Sequence, residues 1–326
     1  MMDFALLLLA HVLAAQSETA SVLNQQCVDS YAGGDYPAAE RVCRASMARW
    51  APLGEAYAPS LAVARTNLAQ ALTAQGRRVE ARSEVQQAVA VLHASPGPRD
   101  PHTLFAMNLL AALDVTLGDD ASAEPLLDEA LNIERALDPT GLQVSRTLHV
   151  LACLRIRQHR FDEALPLADE ALRIAIQASG DDSPDAALTY ATAAEVHRAA
   201  GRHARALPLY RHSRAIYEKK FGADDLRVAP ILTQESLILI DDGKFALAEQ
   251  QLRHSLAILD RSCPHCILER CGAEGALALL RTRQGKYAEA DRLFTHVLTV
   301  QQSTTVPTSA IADTLGSLAF VRSKER

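Results

Sequence analysis

A short pattern recurs along this chain at an almost constant interval. Each copy has a turn position, a glycine in six copies and a histidine in one, and an alanine follows it five residues later. The seven turn positions are Gly34, Gly76, Gly118, His159, Gly201, Gly243 and Gly285, separated by 42, 42, 41, 42, 42 and 42 residues. Self-similarity at a period of this length is typical of solenoids, in which one supersecondary element is copied and each copy packs on its neighbours.

Each repeat has the apolar spacing of two helices joined at the turn position. In the fourth repeat, Leu148, Leu151 and Ile156 have helical spacing, and the spacing resumes at Phe161 after a polar break. Apolar residues make up 48% of the chain and are mainly Ala and Leu, while aromatic residues make up 5%. That composition favours long helices in close contact over strands. We therefore predict an all-α protein built from helical hairpins.

Small residues occupy three fixed places in every repeat. They lie seven residues before the turn position, and five and twelve residues after it. Twenty of these 21 positions hold Ala, Ser or Cys, and the exception is Val297. Two antiparallel helices can approach closely only where their side chains are small. The pattern therefore predicts a close seam between the two helices of each hairpin.

These features resemble tetratricopeptide repeats, as do the strings Asn67-Leu68-Ala69 and Gly285-Lys286-Tyr287-Ala288-Glu289-Ala290. A period of about 42 residues is similar to the kinesin light chain variety, which is also widespread in bacteria. The resemblance covers residues 20–326. It implies a right-handed α-solenoid of about seven hairpins, closed by a capping helix at residues 308–326 with a polar outer surface.

The first fifteen residues predict a signal peptide. An apolar run from Phe4 to Ala15 ends in small residues and is followed by polar ones, and it is too short to span a bilayer as a mature helix. We expect a periplasmic or secreted protein that is not integral to the membrane once processed. A first helix that packs on repeat one, in a cytoplasmic protein, is the alternative.

The resemblance implies a binding groove, because in such repeats the first helices line a concave surface that binds peptides. The net charge of −6 is modest and there is no basic block, which argues against nucleic acid as a partner. We expect a protein or peptide partner instead. The implied groove residues are Asn67, Gln70, Asn108, Arg146, His149, Arg157, Glu195, Arg198 and Gln234.

The six cysteines leave several alternatives open. Cys27 and Cys43 fall on opposing helices of the first hairpin and could form a disulfide. Cys263, Cys266 and Cys271 could hold a structural disulfide, remain free thiols, or take part in redox exchange. His265 would complete the donor types of a zinc site, but a single compact loop would have to supply all the ligands, so we predict no metal site.

Phosphate-binding glycine loops, zinc-protease motifs and nucleophile elbows do not occur in the sequence. We therefore expect no cofactor and a non-enzymatic scaffold that binds a peptide or protein in the concave groove. The alternative is an extracytoplasmic thiol-disulfide protein or redox sensor that uses the loop from Cys263 to Cys266. The family also suggests an accessory module for a separately encoded bacterial regulator. The pattern does not indicate an oligomeric state.

Overall fold

A computed structural model describes the backbone of residues 2–304 and 308–325 and the side chains of residues 13–304 and 310–324. Within this part the chain forms α-helices and two single turns of 3₁₀ helix, Ala51–Leu53 and Glu55–Tyr57. The α-helices are α1 Met2–Ala32, α2 Tyr36–Trp50, α3 Ala58–Ala74, α4 Arg78–Ala94, α5 Pro101–Leu117, α6 Asp120–Leu137, α7 Leu142–Arg157, α8 Phe161–Ser179, α9 Pro184–Ala199, α10 His203–Phe221, α11 Val228–Asp241, α12 Phe245–Ser262, α13 Ile267–Arg283, α14 Tyr287–Ser303 and α15 Thr308–Glu325. The predicted all-α repeat fold is confirmed.

The chain divides into two compact units, Met1–Asp114 (unit 1) and Val115–Arg326 (unit 2). In unit 1, α1 packs on α2 and α3 packs on α4. In unit 2, α7, α9, α11 and α13 each pack on the even-numbered helix that follows them. Odd-numbered helices are therefore the first helices of the hairpins, and even-numbered helices are the second. First helices also touch one another in unit 2, where α7 contacts α9 and α11 contacts α13.

The turn positions set where each second helix begins. All seven have a positive φ, between 57° and 87°, and each of α2, α4, α6, α8, α10, α12 and α14 begins two residues later. This left-handed conformation is favourable for glycine, which has no Cβ, and unfavourable for other residues. His159 is the one turn residue of the seven that is not glycine, at φ 57°.

Replacing His159 with glycine should therefore stabilise unit 2. The left-handed region costs a non-glycine residue about 1–2 kcal/mol, and the extra freedom of glycine in the unfolded chain offsets part of that gain. We expect His159→Gly to raise the free energy of unfolding by about 0.5 kcal/mol. The matched change Gly201→Ala should lower it by about 1 kcal/mol, because an added Cβ meets nothing within 4 Å and only the backbone cost remains.

Urea unfolding followed by circular dichroism measures both variants. The imidazole of His159 meets the ring of Phe161 edge-on, at 5.9 Å between ring centres. If His159→Gly destabilises unit 2 as much as Gly201→Ala does, that ring contact outweighs the backbone gain and the prediction is wrong.

The small-residue seam is fully buried, since the exposed fraction at all 21 positions is 0% or 1%. Where the position twelve residues after the turn is serine, its hydroxyl bridges the two helices. Ser213 Oγ donates to the carbonyl of Ala187 at 2.6 Å, and Ser255 Oγ to that of Ala229 at 2.8 Å. Ser46 makes the same bond to Ala20 in the first hairpin, at 2.8 Å. Small side chains thus let the backbones approach, and serine also hydrogen-bonds across the gap.

Ion pairs join neighbouring hairpins at a recurrent place. A carboxylate six residues after one turn position meets an arginine near the end of the next first helix. The pairs of this kind are Glu124 with Arg155 at 2.7 Å, Glu249 with Arg281 at 2.8 Å, and Asp291 with Arg322 at 2.6 Å. The hydrogen bond from Arg281 lowers the pKa of Glu249 to about 2. The same arrangement joins three pairs of neighbouring hairpins, so these ion pairs help to fix how one hairpin stacks on the next.

The two ends of the chain carry predictions that fall partly outside the described residues. Residue 1 and the side chains of residues 2–12 lie outside them, so the signal peptide at residues 1–15 stays a prediction. Within α1, Leu13 and Ala20 pack near Trp50. None of the described helices is both long enough and apolar enough to cross a membrane.

At the other end, α15 packs on α13 and α14 through Leu318 and Val321, while residues 305–307 and 326 lie outside the description. Its exposed face is not wholly polar, because Leu315 and Phe320 are 46% and 53% exposed.

Candidate functional site

Three of the nine predicted groove residues lie in unit 1. Asn67 and Gln70, both half-buried, are on α3, and Asn108 is on α5. Asn67 Nδ2 donates to Asn24 Oδ1 of α1 at 2.9 Å, which ties two first helices together. Asn108 is only 8% exposed and belongs to the interior of unit 1 rather than to an open surface.

Two of the predicted arginines in unit 2 are paired with carboxylates of neighbouring helices. Arg146 of α7 bonds Asp185 of α9 at 3.1 Å, and Arg157 of α7 bonds Asp120 of α6 at 3.1 Å. Both guanidinium groups are therefore engaged within unit 2. A partner carboxylate would have to displace an existing ion pair to reach either of them.

His149, Glu195 and Gln234 line a cavity of about 310 Å³ between α7, α9 and α11, whereas Arg198, the last predicted groove residue, does not line it. Its walls combine predicted residues with apolar groups from the same first helices and two tyrosine rings of α10. The lining residues are His149, Cys153, Leu188, Ala191, Thr192, Glu195, Tyr210, Tyr217, Arg227, Pro230, Ile231 and Gln234. Leu188 and Pro230 occupy the same place in successive repeats, so one face of the first helices forms this surface.

The carboxylate in the cavity is neutralised by its neighbours. Glu195 accepts hydrogen bonds from Arg198 at 2.6 Å and from the hydroxyl of Tyr210. Burial, and next the charge of Glu195, hold the pKa of Tyr210 well above its ordinary value. Burial alone would lower the pKa of Arg198, but the hydrogen bond to Glu195 raises it overall. The group is a compact ion pair with a neutral phenol, and it leaves no net charge for a ligand.

Two titratable groups of α7, His149 and Cys153, also line the cavity, and both are uncharged at neutral pH. His149 Nδ1 lies 2.5 Å from Thr192 Oγ1, and burial lowers the pKa of this imidazole to about 4. Burial, reinforced by the charge of Glu195, raises the pKa of the Cys153 thiol to about 12. A neutral imidazole and a protonated thiol make the cavity wall apolar in character, and a thiol in this state is a poor nucleophile.

One acceptor in the cavity wall has no donor. Gln234 Oε1 is buried and has no hydrogen-bond partner among the described residues. Leaving such a group unsatisfied costs about 1–3 kcal/mol, so a ligand that brings an N–H or O–H to it gains that much. At the rim, Arg227 bonds Asp225 at 2.7 Å and lies over the ring of Phe221 at 3.6 Å.

Sequence reasoning missed the apolar half of this surface. Leu188, Ala191, Pro230 and Ile231 have the spacing of core residues, and nothing in their periodicity separates a groove wall from a packed interior. The one signal that could have drawn attention to this wall is Pro230 itself, a proline near the start of a first helix. Leu188 occupies the same place one repeat earlier.

The cysteines of the first hairpin form a disulfide in the structure. Cys27 and Cys43 link α1 to α2, with 5.2 Å between their Cα atoms.

In the later loop, Cys263 bonds Cys266, and Cys271 remains a buried thiol whose pKa burial raises to about 11. Both bonded cysteines are only 4% exposed, which leaves an exchanging thiol little access. Within the described residues, no group of three or more His, Cys, Asp or Glu is placed to hold a metal ion.

Comparison with family models identifies the repeat. A model described as tetratricopeptide repeat matches residues 18–92, 60–136, 103–177, 143–219 and 185–261, and a second model of that description matches residues 275–304. No curated protein matches the chain.

Solved structures share the fold at low sequence identity. A Rap conjugation gene regulator of the plasmid pLS20, in complex with the Phr* peptide, is 13% identical with a TM-score of 0.64, covering 85% of this chain and 72% of that one. Aspartyl phosphate phosphatase F from Bacillus subtilis is 14% identical with a TM-score of 0.62, covering 93% and 76%. A Rap protein complexed with Competence and Sporulation Factor is 13% identical with a TM-score of 0.56, covering 94% and 98%.

Proposed function

Because the chain belongs to the tetratricopeptide repeat family, we propose that it is a non-enzymatic interaction protein that binds an extended segment of a peptide or protein partner. The binding surface is the face of α7, α9 and α11 around the 310 Å³ cavity. A segment that crosses these three helices contacts one cavity and the polar groups beside it.

The observation that carries this proposal is the cavity wall itself. Leu188, Ala191 and Pro230 present apolar surface to the groove, while the charge of Glu195 is balanced internally. An apolar side chain of the partner fits such a wall, and a backbone N–H next to it can donate to the unpaired Gln234 Oε1. This combination favours recognition of a peptide by one anchoring side chain and its adjacent backbone.

Two further facts support binding over catalysis. The imidazole of His149 and the thiol of Cys153 are held in their neutral states, so neither is prepared for acid–base or nucleophilic work near neutral pH. Among the structures with this fold, one is named as a complex with a peptide and one as a complex with Competence and Sporulation Factor. Aspartyl phosphate phosphatase F also shares the fold, and the activity in its name is that of that protein.

We do not favour the redox alternative, because Cys263 and Cys266 are buried and bonded to each other.

A display selection tests the proposal. Random peptides would be selected on the full chain, and the affinity of the enriched peptides measured by fluorescence polarisation. Ala191→Phe fills the cavity, so we expect it to weaken binding at least tenfold, which corresponds to about 1.4 kcal/mol. Ala215→Phe makes the same change on the exposed side of α10 and should leave affinity unchanged. Equal affinity for both variants, with both chains folded by circular dichroism, would place the peptide elsewhere and contradict the proposal.

A further inference from the structure

Unit 1 contains a cavity of its own, of about 330 Å³, between α1, α3 and the start of α5. It lies at the same place in the repeats as the cavity of unit 2, since Ser21 and Val63 are both thirteen residues before a turn position, as Leu188 is. Its chemistry is different. The lining residues are Ser21, Asn24, Gln25, Trp50, Pro59, Ser60, Val63, Leu92, Pro96, Asp100 and His102.

Trp50, which lines this cavity, has an indole N–H without a hydrogen-bond partner among the described residues. The side chain lines the cavity, is 6% exposed, and stacks on the ring of Tyr57 at 5.6 Å. Its Nε1 is buried and has no partner among the described residues. Buried indole N–H groups usually find an acceptor, and leaving one without a partner is unfavourable. An acceptor brought into the cavity by a ligand would remove that cost.

The rest of the wall combines the apolar side chains of Pro59, Val63, Leu92 and Pro96 with neutral polar groups. The side chains of Ser21, Asn24 and Ser60 supply hydroxyl and amide groups that both donate and accept. The carboxylate of Asp100 is occupied at the start of α5, where it accepts from the backbone N–H of His102 at 2.8 Å and of Thr103 at 3.3 Å. Among the described residues, neither Lys nor Arg lines the cavity. Apart from the imidazole of His102, an anionic ligand would therefore find no basic side chain, and a cation would compete for an occupied carboxylate.

We propose that this cavity is a second binding site, which takes a neutral carboxamide side chain, Asn or Gln, of a bound peptide. The carboxamide oxygen accepts from Trp50 Nε1, and its NH₂ group donates to the hydroxyl oxygens of Ser21 and Ser60. This site shares no residue with the cavity of unit 2 and selects a polar group where that cavity selects an apolar one.

Trp50 is the only tryptophan of the chain, so tryptophan emission reports on this cavity and the residues packed beside it. Capped pentapeptides with two glycines on either side of Asn, Gln, Leu, Asp or Lys would be titrated into the full chain. We expect the Asn and Gln peptides to shift the emission in a saturable way, with an apparent Kd at least tenfold lower than the other three. Glucose serves as a neutral hydrogen-bonding ligand that is not a peptide.

Matched variants separate this site from other surfaces. Ser60→Leu fills the cavity and should abolish the saturable shift, while Ser83→Leu makes the same change on the exposed face of α4 and should preserve it. Ala191→Phe in unit 2 should also preserve it, so that loss of the unit 2 groove and loss of this site are told apart. Thermal unfolding checks that each variant folds. The proposal is overturned by a flat emission with every peptide, by equal response to the Leu or Asp peptide, or by saturation with glucose at the same concentration.

Discussion

Replacing Arg214 with methionine should lower the free energy of unfolding of unit 2 by about 3–5 kcal/mol, the range seen when one partner of a buried ion pair is removed. Glu235 of α11 has a side chain with 0% exposure, and it accepts from Arg214 Nε of α10 at 2.9 Å. Gln251 of α12 donates to its other oxygen at 2.9 Å. Without Arg214, one neutral amide would have to stabilise a fully buried carboxylate.

The double variant Arg214→Met with Glu235→Leu is the control. Replacing both members of a buried pair by apolar groups of similar size is often close to neutral, so we expect it to recover most of the lost stability. Urea unfolding measures both proteins at the same pH and salt concentration. A loss below about 1 kcal/mol in the single variant would show that Glu235 is solvated when unpaired, and would contradict the burial argument.

Removing the disulfide between Cys27 and Cys43 should have the next largest effect and lower the free energy of unfolding of unit 1 by about 3 kcal/mol. The bond closes a loop with a sequence separation of 16 and restricts the unfolded chain accordingly. The variant Cys27→Ala with Cys43→Val reproduces the pair Ala69 and Val85 at the equivalent buried places of the second hairpin. Because that pair already fits such a seam, the loss reports the cross-link rather than a cavity.

Thiol labelling in denaturant, without reductant, checks the bond directly. We expect two reactive thiols, Cys153 and Cys271, in protein from an oxidising compartment such as the sequence predicts. Removing Cys263 and Cys266, which are three residues apart, should cost less than removing the first bond, because the closed loop is shorter. More than two labelled thiols, or unfolding of unit 1 that is insensitive to reductant, would contradict the prediction.

Much of the fold could be predicted because its signals are local. A turn residue with positive φ, a glycine at six of the seven positions, follows the first helix of each hairpin, and the three small residues per repeat mark the faces that meet, as at Ala152 and Ala164. These features depend on residues a few positions apart and are written into every copy. The same period predicts the tetratricopeptide repeat family, and the match to the family models confirms that prediction.

Less of the candidate site could be predicted. His149, Glu195 and Gln234 do line the cavity of unit 2, but Arg146 and Arg157 are engaged in ion pairs and Asn108 is buried. Whether a polar residue on a first helix is available depends on which side chain the neighbouring hairpin places beside it. That neighbour lies about one repeat away along the chain, and periodicity alone does not name it.

The sequence by itself determined the helical hairpins, their spacing and their seams, because helix formation, left-handed turns and small-residue contacts depend on short stretches that repeat. Only the tertiary structure decided which charges are neutralised, which thiols are bonded and where the two cavities lie. Pairs such as Arg214 with Glu235 join different helices, and a cavity is the space left when those helices have packed. Both depend on distances between residues that the repeat period does not encode.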